Sequence, residues 1–63
     1  MDFQEFLNKK IKIVINEGST FSCYVGFIQR IEEPFLVFRD KFNQEKIFGF
    51  NSIAKIELVN NHD

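Results

Sequence analysis

The chain has 63 residues, a net charge of −1 at neutral pH and a pI near 5.7. A single domain of this size buries only about 60% of its unfolded surface, so it depends on disulfides, a metal, self-association or an unusually apolar core. Cys23 is the only cysteine and His62 the only histidine, which excludes an internal disulfide and a zinc ligand set. Nine phenylalanines favour the two remaining routes, a Phe-heavy core or an aromatic interface, and both stay open. No apolar run approaches the ~20 residues of a membrane span, and the short acidic N-terminus is unlike a signal peptide. The expectation is one soluble cytoplasmic domain over 1–63 that uses no cofactor.

In chain order, Asp2 is placed to cap a short helix over 2–8, with Glu5 at capping-box spacing and Phe3, Phe6 and Leu7 on one stripe. Two turns are not stable alone, so the stripe is expected to dock as a lid on a body spanning 9–59. Period-two alternation follows. Ile11, Ile13 and Ile15 share one face of a first strand, and Asn16-Glu17-Gly18-Ser19 forms a turn. A long second strand runs from Thr20 to about Ile31. Its apolar face, Phe21, Cys23, Val25 and Phe27, reads as core-facing, with Gly26 as the bend or bulge that lets the strand curl. Glu32-Glu33-Pro34 interrupts the pattern. Phe35-Leu36-Val37-Phe38 reads as a third strand covered on both faces, and 39–44 as a polar hairpin loop. The segments from Glu45 to Phe50 and from Ile53 to Val59 complete the set, with 60–63 as a tail. The fold class expected is all-β: a small, bent, five-stranded antiparallel barrel whose closure hides its edges.

This layout resembles the Sm-like superfamily, the Sm and Hfq proteins, over nearly the whole chain. The resemblance rests on Ile13-Val14-Ile15-Asn16-Glu17-Gly18-Ser19-Thr20-Phe21, on Phe48-Gly49-Phe50-Asn51-Ser52-Ile53-Ala54-Lys55-Ile56, and on the opening Gln4-Glu5-Phe6-Leu7-Asn8. It implies an Sm/SH3-like barrel that assembles as a homo-oligomer, ring or dimer, and binds single-stranded RNA. In Sm-like rings the fourth strand of one subunit pairs with the fifth of the next. The family's uridine pocket does not carry over. Gly49 and Phe50 stand where its Arg-Gly pair belongs, and Gln29 falls near the position of its Asp. The long second strand, acidic bend and apolar third strand are also similar to the Rof and YolD-like small proteins. That likeness implies the alternative of a protein-binding adaptor without RNA affinity.

Catalysis is not expected. His62 lies in the tail, no nucleophile–base set can be placed around it, and adjacent Glu32 and Glu33 on a strand would face opposite sides. Cys23, alternating with Phe21 and Val25, reads as a small core residue rather than a reactive thiol. RNA contacts are assigned to Lys9, Lys10, Lys12, Arg39 and Lys41, with Tyr24 and Phe42 as stacking aromatics. Solvated charge is the plainer alternative, because Glu5, Asp40, Glu45 and Glu57 dilute any positive field. Phe48, Phe50, Ile53, Phe35 and Phe38 are assigned to an oligomer interface, with filling of the monomer's own core as the alternative.

Overall fold

A computed structural model describes residues 2–59. Five antiparallel strands, β1 (Lys10–Glu17), β2 (Thr20–Glu32), β3 (Phe35–Asp40), β4 (Glu45–Gly49) and β5 (Ile53–Leu58), form one sheet in the order β4-β3-β2-β1-β5. The chain is therefore all-β, as its period-two segments require. The sheet is open rather than closed, because β4 and β5 lie at opposite ends of this order. The expected tail at 60–63, including His62, lies outside the described residues.

β2 organises the sheet. Its first half pairs with β1, from Thr20 opposite Glu17 to Phe27 opposite Lys10. Its second half pairs with β3, from Gly26 opposite Asp40 to Glu32 opposite Phe35. Leu7 lies beside Ile28 in an isolated parallel bridge, so the second half is flanked on its other side as well. The two arms share an apolar interior built from Ile11, Ile13, Ile15, Ile28, Leu36 and Phe38.

The N-terminal helix is shorter than expected, a single 3₁₀ turn at Phe3–Phe6. The Asp2 carboxylate accepts the Gln4 backbone N–H at 3.0 Å, and Asn8 ends the segment in the left-handed region at φ 65°. Phe3 is buried and meets Phe50 of a second 3₁₀ turn, Phe50–Ser52, with ring centroids 4.6 Å apart. These two turns cover the interior as the expected lid. The Phe50 N–H donates to the Pro34 carbonyl at 2.9 Å, which fixes the β4–β5 link against the bend that precedes β3.

Two expectations about β2 are corrected. Gly26 is not the bulge; the register shift falls between Ile28 and Arg30, at Gln29. Gly26 is instead a point of close approach, since a Cβ there would lie 2.0 Å from the Arg39 carbonyl oxygen. The face carrying Phe21, Cys23, Val25 and Phe27 also points away from the core. Directly opposed residues of an antiparallel pair project to the same side. Buried Ile11, Ile13 and Ile15 are opposed by Gly26, Tyr24 and Ser22, which leaves Phe21, Cys23 and Val25 on the outer face. The extra residue at Gln29 then resets the phase, so Ile28 and half-buried Ile31 both reach the interior.

In β3, Leu36, Val37 and Phe38 are buried as expected, while Phe35 is exposed. β3 also runs on to Asp40, so the hairpin loop is shorter than 39–44. No helix among the described residues is long and apolar enough to cross a membrane.

Candidate functional site

The outer face of the sheet gathers most of the candidate groups. One cross-strand row runs Lys10, Phe27, Arg39, Glu45 over four strands. It sets an exposed phenyl ring between two cations. The next row toward the β1–β2 turn carries Glu57, Lys12 and Val25, and the one beyond it Lys55, Val14 and Cys23. An apolar track formed by Phe21, Cys23, Val25 and Phe27 thus runs along β2, with lysines on its β1 flank.

Carboxylates temper this charge. Glu57 sits 3.2 Å from Lys12 and 2.9 Å from Lys55. The hydrogen bond to Lys55, and then that to Lys12, hold its carboxyl below the usual carboxylate range. On the other flank, Arg30 bonds Glu32, and both Arg30 and Arg39 lie within 3.9 Å of Glu45. The Glu32 carboxylate raises the Arg30 pKa above its ordinary value. With its amide turned to suit, Gln29 donates to Glu45 at 3.2 Å and accepts from Arg39 Nε at 3.1 Å. Val37 lies on the same face, paired with Arg30 on one side and Ile47 on the other, and is 1% exposed.

The β3–β4 turn is built on Asp40. Its buried carboxylate accepts the backbone N–H groups of Phe42 and Gln44, both at 2.9 Å, and Lys46 approaches to 3.9 Å. The Asn43 N–H donates to the Asp40 carbonyl at 2.9 Å with Asn43 at φ 65°, and Arg39 closes the loop by donating to the Asn43 carbonyl. The loop presents Phe42, 73% exposed, with the Lys41 ammonium 5.4 Å from its ring centroid. A shallow pocket of about 90 Å³ lies between this turn and β2, lined by Cys23, Tyr24, Val25, Asp40, Lys41 and Phe42.

Of the residues assigned to RNA, Lys10, Lys12 and Arg39 share the outer face, and Lys41 with Phe42 borders it. Lys9 precedes β1, exposed at the turn after Asn8. Tyr24 is set apart on the inner face. Its hydroxyl donates to Glu17 at 3.3 Å, its ring lies 5.3 Å from Phe48, and Lys46 sits over it at 5.3 Å. Of the residues assigned to an interface, Phe38 is fully buried, Phe48, Phe50 and Ile53 pack half-buried on the core, and Phe35 is 50% exposed. Cys23 is a free, exposed thiol rather than a core residue. Sequence reasoning missed Phe21 and Phe27 as surface aromatics. The clue available was the uninterrupted polar set Ser22, Tyr24 and Gly26, small or amphipathic enough to sit beneath three isoleucines. No protein-family model, curated protein or solved structure matches the chain.

Proposed function

We propose that the protein is a non-catalytic RNA-binding module of Sm/Hfq type that works as a homo-oligomer. The observation that carries this reading is the sheet order, which leaves β4 and β5 as the two outer edges of one open sheet. Those are the strands that pair between subunits in the rings this sequence resembles. Joining β4 of one copy to β5 of the next satisfies both rows of outward backbone groups and closes the barrel between molecules rather than within one. RNA is engaged by the outer face, where Phe27 stacks a base between Lys10 and Arg39 and the Lys41–Phe42 pair offers a second platform.

Fluorescence anisotropy with a labelled single-stranded RNA of mixed sequence, titrated at several salt concentrations, tests the RNA half. Affinity that falls as salt rises, with a slope reduced by about one in Lys10→Ala, is the expected result. Absent or salt-independent binding rejects it. The outward apolar track supports a second reading, a protein-binding adaptor of the Rof or YolD-like kind. On that reading Lys10→Ala changes nothing and Phe21→Ser or Phe27→Ser abolishes partner capture.

A further inference from the structure

The first half of β2 has a neighbour on one side only. β1 covers one edge of Thr20–Val25, but β3 reaches no further than Asp40 beside Gly26, and no other strand among the described residues takes the vacant position. The backbone groups along that edge can be identified. The Lys10 carbonyl accepts from the Val59 N–H, on the β5 side, so Lys10 and Phe27 form a pair that exchanges no hydrogen bonds. Alternation then makes Lys12–Val25, Val14–Cys23 and Asn16–Phe21 pairs of the same type. The N–H and C=O groups of Phe21, Cys23 and Val25 therefore all point to the open edge.

Sheet edges are ordinarily guarded by charge or proline. The β4 edge carries Glu45 and Lys46, and the β5 edge carries Lys55 and Glu57. Thr-Phe-Ser-Cys-Tyr-Val, the open segment of β2, carries neither charge nor proline, and its outward side chains are exposed Phe21, exposed Cys23 and half-buried Val25. From these features we infer that Thr20–Val25 is a strand-pairing surface for a second copy of the same segment, antiparallel across a two-fold axis.

The surroundings select the register. A copy with Cys23 opposite Cys23 would drive its Thr20 into Asp40. Shifting the axis to Ser22 sets each Phe21 opposite the other copy's Cys23, makes two bonded pairs, and stops each β1–β2 turn at the other copy's β3–β4 loop. Glu17 keeps its own partners on the inner face, where its carboxylate accepts the Ser22 hydroxyl at 2.7 Å and the Tyr24 hydroxyl at 3.3 Å, and no like charges face one another along the paired segment. Phe21, Cys23 and Val25 of both copies join into one apolar cluster on the outer face.

This contact is separate from pairing between β4 and β5 and needs no RNA. The test is disulfide trapping in the full chain. Ser22→Cys in a Cys23→Ser background puts two thiols at a non-bonded antiparallel pair, with Cα atoms about 4.5 Å apart. Mild oxidation is expected to give a covalent dimer from this variant much faster than from a Cys23→Ser chain whose single thiol is placed instead at exposed Glu33, by Glu33→Cys. Cys23→Lys, whose side chain is exposed in the monomer, is expected to raise the dimer dissociation constant at least about tenfold while leaving the far-ultraviolet circular dichroism spectrum unchanged. A Ser22→Cys variant that crosslinks no faster than the Glu33→Cys chain, or a folded Cys23→Lys variant that associates as tightly as the parent, overturns the inference. If Cys23→Lys does not fold, the trapping result decides alone.

Discussion

A methyl group at Gly26 would lie 2.0 Å from the Arg39 carbonyl oxygen and 2.8 Å from the Asp40 Cα, both backbone atoms that cannot move without parting β2 from β3. Gly26→Ala is therefore expected to destabilise the fold by about 3 kcal/mol or more, at the upper end of overpacking effects, which a urea melt would register as a lowered midpoint. Asp40 is constrained differently. Its carboxylate holds two backbone N–H groups of the β3–β4 turn. Asp40→Ala should cost about 1–3 kcal/mol by leaving those donors unpaired, and Asp40→Asn, which keeps an acceptor oxygen, should recover part of the loss in the same assay. Glu57 carries a pH dependence. Its carboxyl titrates lower when folded than when unfolded, so its contribution is present above its unfolded pKa and lost as pH falls through the folded value. The carboxylate is partly exposed and screened by solvent, which keeps the effect small. Stability measured from neutral to acid pH should decline less steeply in Glu57→Gln than in the parent chain.

At the level of strands, the periodicity of the sequence was a reliable guide to where the elements lie and an unreliable one to which way β2 faces. β1 could be oriented because its two faces differ sharply, isoleucines against lysines and asparagine. In β2, Phe21, Cys23, Val25, Phe27 and Ile31 share one period-two phase and Ile28 falls in the other, and the sequence does not reveal that the extra residue at Gln29 sends Ile31 to the opposite face from the first four. Pairing decides it: β1 fixes the inner face, and Tyr24 fills the space there with its hydroxyl on Glu17. The candidate site was legible in the same partial way. Lys10, Lys12, Arg39, Lys41 and Phe42 could be picked out by residue type, but the row joining Lys10, Phe27 and Arg39 exists only through the registers of three strands. Phe38 and Phe42 separate the roles of the aromatics. Phe38→Ala removes a fully buried ring and is expected to cost about 3–5 kcal/mol. Phe42→Ala, at an exposed loop tip, should leave the denaturation midpoint almost unchanged while weakening RNA binding.

For the molecule as a whole, an open sheet reconciles a small chain with its composition. One face of the sheet holds a compact interior, and the apolar residues left over sit along β2 and at the edges, where another molecule can cover them. Closure between copies would supply the buried area that 63 residues cannot provide alone. Native mass spectrometry of the Cys23→Lys variant, in which the two-fold contact at β2 is blocked, isolates the β4–β5 edges. A closed ring of about six or seven copies is the result expected from the proposed assembly. A monomer at every concentration, from a parent chain that is itself no more than a dimer, would contradict it.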